Sequence, residues 1–182
     1  MNPSESIFGN LNYEPHWYAL KTRFRHEKKV DDRLKQKGVI SYLPLCSTYH
    51  NWSDRKKKIT EPLFSCYLFV RIALAERLPV LRTDGAVHLV SFNNVPAPIP
   101  ENQINSIKQV LQKNISYQKI DSLALAVGQK VEVVHGPLKG VSGVLTRIKD
   151  QTRLIISVNV VQQAISVDID AAAIKPIENQ CH

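Results

Sequence analysis

The 182-residue chain is 43% hydrophobic and 22% charged, values ordinary for one domain or two small ones and too apolar for a disordered chain. Lys and Arg number 24 against 16 Asp and Glu, and the resulting +8 favours approach to nucleic acid or another polyanion. No run approaches the roughly 18 apolar residues of a membrane span, the start lacks a basic-then-apolar leader, and Cys46, Cys66 and Cys181 are too few and too widely spaced for a disulfide framework. The expectation is a cytoplasmic protein with reduced thiols.

The charge is uneven: residues 1–125 carry about +7 and residues 126–182 about +1, so the front of the chain holds the electrostatic footprint. Residues 1–14 show no periodicity and read as a flexible lead-in. Trp17 to Thr22 is an unbroken aromatic and apolar run, a first strand. From Arg25 to Lys37 the apolar residues thin to Val30 and Leu34, four apart, which predicts a helix that Gly38 ends. Val39 to Leu43 reads as the next strand.

Tyr49 to Trp52 and Ile59 to Phe64 flank the polar run 53–58, a hairpin with a charged tip. Cys66 to Ile72 is the strongest strand signal in the chain and belongs near a sheet centre. A short helix interrupted by Pro79 and a strand over Val87 to Phe92 follow. After the extended Pro96-Ala97-Pro98-Ile99-Pro100, the spacing of Ile104, Ile107 and Leu111 predicts a second main helix. Residues 115–125 read as a linker, and short strands separated by glycine turns fill 126–178: Lys130 to Val134, Gly143 to Ile148, Arg153 to Val158, Ala164 to Val167 and Ala171 to Ile174. Five such strands suggest a small barrel, which removes exposed edges.

The stretch Gly128 to Leu145 places strand, glycine turn and strand at close spacing. Pro137 fixes one backbone angle of the turn, Gly140 is free to take positive φ, Gly136 precedes the proline, and Gly143 lets the second strand pack closely. This resembles the KOW motif of transcription elongation factors and certain ribosomal proteins, with the glycines in structural roles. Residues 15–114, with Trp17-Tyr18, a basic helix, Glu61-Pro62-Leu63-Phe64-Ser65-Cys66-Tyr67-Leu68-Phe69-Val70 and Pro96 to Pro100, resemble the amino-terminal (NGN) domain of the NusG family, and the wording around Phe64 is nearest its RfaH/UpxY-type paralogues. Together the two resemblances span Trp17 to Ile177. Two departures stand out: Ser65-Cys66 replaces the usual Pro-Gly or Pro-Asn, and Leu78-Pro79-Val80 replaces the His-Thr-Thr of RfaH, so no polymerase contact is carried over to those three.

The resemblance implies an α+β fold: an antiparallel, ferredoxin/RNP-like sheet flanked by helices, followed by an all-β SH3-like barrel. It also implies a monomeric elongation and antitermination factor without cofactors. Phe64, Tyr67, Phe69 and Phe92 would meet the clamp helices of the largest subunit of RNA polymerase. Alternation along the strand agrees, since it separates Tyr67 and Phe69 from Leu68 and Val70, leaving an aromatic face for docking; the plainer alternative places all four rings in the core. Phe64, at the strand entry, is the most accessible of the four in this reading. Lys21, Arg23 and Arg25, with Arg55, Lys56, Lys57 and Lys58 at the hairpin tip, supply salt-sensitive phosphate contacts or else a plain solvated face. By resemblance their target is the non-template strand of the transcription bubble, and the barrel recruits the termination factor Rho or a small-subunit ribosomal protein.

Catalysis finds little support: there is no phosphate-cradling glycine loop, no His-x-x-x-His and no zinc-spaced cysteine set, and Asp31-Asp32 and Asp168 with Asp170 read as structural. Two other classes remain open. One is a KOW-containing ribosomal or general RNA-binding protein, which binds RNA without polymerase; the other is a nucleic-acid enzyme, for which no convincing residue stands out.

Overall fold

The protein, seen in a computed structural model, is described over residues 13–51, 56–113, 115–121, 128–148 and 151–177. The chain divides into two compact units, Met1–Pro100 and Glu101–His182.

In the first unit β1 (His16–Thr22), β2 (Ile40–Tyr42), β5 (Tyr67–Ile72) and β6 (Ala86–Leu89) form an antiparallel sheet in the order β2-β5-β1-β6, and β9 (Pro98–Ile99) adds to β1. The strand with the strongest signal, β5, lies inside the sheet between β2 and β1. Its alternation sends Leu68, Val70 and Ile72 to one face, where they join Tyr18 and Leu20. Helix α1 (Glu27–Gln36) brings Val30 and Leu34 to the same core, along with Leu74, Val80 and Leu89. The helix ends as its sequence predicts: Gly38 has φ +75°, its N–H reaches Lys35 O at 3.0 Å, and the Val39 N–H reaches Leu34 O at 3.0 Å, the paired bonds of a Schellman cap. Pro79 falls within the short helix α2 (Arg77–Leu81), preceded by a 3₁₀ turn.

Two details differ from the sequence expectation. Strands β3 (Leu45–Asn51) and β4 (Lys56–Pro62) are longer than predicted, because cross-strand pairing runs on to Asn51↔Lys56 and draws three lysines from the expected tip into a strand. The strand expected over Val87 to Phe92 stops at Leu89, and β7 (Ser91–Phe92) instead pairs with β8 (Val95–Pro96). Asn93 and Asn94 both take positive φ, 50° and 62°, as a two-residue hairpin turn that follows the strand twist requires.

In the second unit α3 (Glu101–Gln112) lays Ile104, Ile107 and Val110, all fully buried, against strands β12 (Ser142–Ile148) and β13 (Gln151–Val158). This packing groups the helix with the strands that follow it. The segment read as a linker contains a strand, β10 (Tyr117–Asp121), in register with β14 (Gln163–Asp168). An edge strand needs only one row of partners, and the half-buried Tyr117 and Ile120, three apart, fall on opposite faces and leave no alternation in the sequence. With β11 (Gln129–Val133) and β15 (Ile174–Pro176) the sheet order is β10-β14-β13-β12-β11-β15. Residues Ala171–Ala173, predicted as strand, form a 3₁₀ turn because the Asp170 carboxylate accepts the Ala172 N–H at 3.0 Å.

Candidate functional site

The face of the first sheet opposite α1 carries Tyr42, Tyr67 and Phe69. Register fixes a row across it: Tyr42 opposite Phe69, Phe69 opposite Ala19, and the Val90 N–H on Ala19 O at 2.9 Å. Tyr42 stacks on Phe69 with centroids 6.4 Å apart, and Phe64 meets Phe69 edge-on at 5.9 Å. Contrary to the expectation of an accessible ring, Phe64 is only 2% exposed, and Phe69 is fully buried. Tyr67 is half-buried, and Phe92, on the hairpin that springs from this row, is 56% exposed.

The burial of Phe64 has a local cause. Its carbonyl accepts the Tyr67 N–H at 3.3 Å, closing a turn through Ser65 and Cys66 that folds the ring back onto the sheet. Cys66 has φ +66°, the left-handed conformation that Gly or Asn adopts with least strain, which accounts for the residues usual at that position. The turn is pinned from both sides. The Cys66 N–H donates to the buried Glu27 carboxylate at 2.7 Å, and Cys66 O accepts from the Thr22 N–H at 2.8 Å. Neither contact is announced by the sequence, where Glu27 looks like one more charge on a polar helix.

The basic residues fall into three groups. Lys21 sits on the aromatic face between Tyr67 and His88. Arg23 and Arg25 are exposed on the loop between β1 and α1. Arg55 lies outside the described residues, while the backbone of Lys56, Lys57 and Lys58 opens β4. Lys28, at the start of α1, donates to Thr60 O at 2.7 Å and so ties that helix to the hairpin that carries the lysines. Near the loop, Arg33 donates to the Asp84 carboxylate at 2.7 Å and Arg23 stands 3.7 Å from it. The hydrogen bond and charge of Arg33, with smaller help from Arg23 and His26, hold the Asp84 carboxyl below the usual carboxylate range.

A profile for the family described as "Transcription termination factor nusG" matches residues 15–108, more than half of the chain. The chain belongs to the NusG family. Among solved structures it is similar to Thermotoga maritima NusG, at 20% identity and a TM-score of 0.51, over 91% of this chain and 98% of that one. It also matches MjSpt4:Spt5 complexes in conformation B (15% identity, 91% and 99% covered, TM-score 0.30) and conformation A (14%, 89% and 98%, 0.27). The NusG likeness agrees with the α+β fold, and membership makes the chain a NusG-family transcription factor.

Elsewhere in this NusG-family chain three of the four paired acidic residues have structural partners, and Asp32 is exposed on α1. Asp31 accepts from Ser41 and Lys35, both at 2.6 Å; Asp168 pairs with Arg153 at 3.0 Å; Asp170 caps its turn. The loop after β11 holds the glycines singled out in the sequence: Gly136 and Gly140 have φ +84° and +86°, and the Gly140 N–H reaches Val133 O at 2.8 Å. At Gly143 a Cβ would stand 2.5 Å from Ile155 O, and at Gly128 2.2 Å from Leu145 O. Pro137 is exposed between the two left-handed glycines, and its carbonyl accepts from Lys113. Among the described residues, no helix is long and apolar enough to cross a membrane.

Proposed function

We propose that the chain is a non-enzymatic, RfaH-type elongation and antitermination factor. Its first unit docks on the clamp helices of RNA polymerase and steadies the non-template strand, while the KOW-bearing second unit recruits Rho or a small-subunit ribosomal protein. A factor of this kind suppresses pausing by binding the elongating state of polymerase more tightly than the paused one.

The observation that carries the docking is Phe92. It lies more than half exposed on a hairpin whose root shares a row with Phe69, so by strand spacing the backbone of that root stands about 10 Å from the Phe69 backbone. In this reading Phe92 and the half-buried Tyr67 make the contact, and the buried Phe69 and Phe64 lie beneath the surface. Phe64→Ala is a poor probe of contact, since emptying a buried phenyl site costs about 3–5 kcal/mol of stability. Phe92→Ala removes an exposed ring and leaves the core intact. In a capture with purified, nuclease-treated polymerase it should weaken binding about 30-fold, as truncation of an aromatic anchor does. Wild-type affinity in that variant would refute the docking face. Binding of RNA without any retention of polymerase would favour the ribosomal or RNA-binding class.

A further inference from the structure

Phe24 is 65% exposed, the most exposed phenylalanine among the described residues. A single exposed apolar side chain is ordinary on a protein surface. The setting of this one is not. The His26 N–H closes on Arg23 O at 3.1 Å, making Phe24 and Arg25 the two central residues of a tight turn, and Arg25 has φ +61°. Glycine fills such a position without strain; an arginine there costs about 1–2 kcal/mol. The Arg23 N–H is bonded to Gly85 O at 2.9 Å, and His26 Nδ1 lies 3.0 Å from Phe24 O, so the turn is tethered on both sides.

The side chain held by that strained backbone is used. The Arg25 guanidinium carbon stands 5.2 Å from the centroid of the Phe24 ring, a cation–π contact, and Arg25 makes no ion pair among the described residues. Arg23 is exposed on the other side of the ring in sequence, and of the nearby carboxylates Glu27 is buried on Cys66 and Asp84 is engaged chiefly by Arg33. The result is a flat apolar ring, mostly in water, with one guanidinium over it and a second exposed arginine next to it in the sequence, on a tethered loop. Phosphates alone need no ring. A ring with cations beside it suits a ligand that alternates π-faces with phosphates.

We propose that Phe24 is a stacking platform for an unpaired base of a single-stranded nucleic acid, with Arg23 and Arg25 on the phosphates either side. The inference rests on the nucleic-acid contact of the proposed function and assigns it a residue and a chemistry. It adds selectivity for open strands, because a paired base does not offer its face.

The test is fluorescence anisotropy with the full chain and labelled dT12, a twelve-residue abasic strand with the same phosphates, and a duplex of the same length; rU12 run alongside reports which sugar is preferred. Wild type should hold dT12 about 5- to 100-fold more tightly than the abasic strand. Phe24→Ala and Phe24→Leu should lose that margin, bind the abasic strand and duplex as wild type does, and keep the same salt slope; Phe24→Trp should retain it. Arg25→Ala should instead lower the slope by about 0.7. Equal binding of dT12 by wild type and Phe24→Ala overturns the stacking role alone. If such a variant also loses polymerase in the capture assay, the ring is a protein contact. Failure of wild type to hold any of these strands overturns the stacking role together with the nucleic-acid part of the proposed function.

Discussion

Glu27 offers the sharpest test of how the first unit holds its proposed docking face. The residue is only 4% exposed at the start of α1, and its Oε1 accepts the Cys66 N–H at 2.7 Å, so Glu27→Ala removes a short, charge-assisted bond and leaves a part-buried donor without its acceptor. A hydrogen bond to a charged group contributes about 1.5–3 kcal/mol, and an acidic residue in the first helical turn adds about 0.3–1 kcal/mol through the helix dipole. The expected loss is therefore about 2–4 kcal/mol, or roughly 10–20 °C in the melting of a unit of this size. Glu27→Gln keeps an acceptor without the charge and should recover about half. The assay is urea denaturation together with hydrogen exchange at the Cys66 amide, which should be protected in wild type and open in Glu27→Ala. Because the same turn seats Phe64 and leads into Tyr67, polymerase capture should weaken in step with that amide. An unchanged midpoint and an unchanged Cys66 amide would refute the pinning of the turn by Glu27.

In the second unit, Gly143→Ala should destabilise by about 1–3 kcal/mol, since the added methyl meets Ile155 O at 2.5 Å and the side chain of Leu154 at 2.9 Å. Urea titration checks it, and wild-type stability would mean that β12 and β13 part freely at this point. In the first unit burial pushes the Tyr42 phenol up to about 12 and raises that of Tyr18. The unfolded phenols ionise from pH 10, so stability is whole below that value and falls as pH rises toward 12, by about 1 kcal/mol at pH 11 for Tyr42 alone. Tyr42→Phe should flatten that alkaline slope in urea midpoints taken between pH 8 and 11; an unaltered slope would assign it elsewhere.

Much of the fold was legible because period and punctuation agreed. Val30 and Leu34 before Gly38 gave α1 and its cap, and the branched, glycine-free run of β5 gave an interior strand. What escaped were features whose signal is tertiary. Edge strand β10 leans on one neighbour only, so its five residues need no strong alternation, and α3 reads the same whichever strands receive its stripe. The break after Leu89 was visible in principle in Asn93-Asn94, two residues that tolerate positive φ, but the preceding apolar run argued for continuity.

The candidate site divides along the same line. Residue type identified the aromatic face, while exposure, which decides what a partner can touch, depended on a turn closed by Glu27, a helix residue 39 positions before Cys66. That turn takes Phe64 out of reach and leaves Phe92 as the accessible ring. Phe24 escaped for the opposite reason: alone among charges, it belongs to no periodic pattern, and only the left-handed φ of Arg25 reveals that the loop is built to a shape. A strained residue that survives in a tethered turn points to a use for its side chain, and here that side chain is spent on the exposed ring beside it.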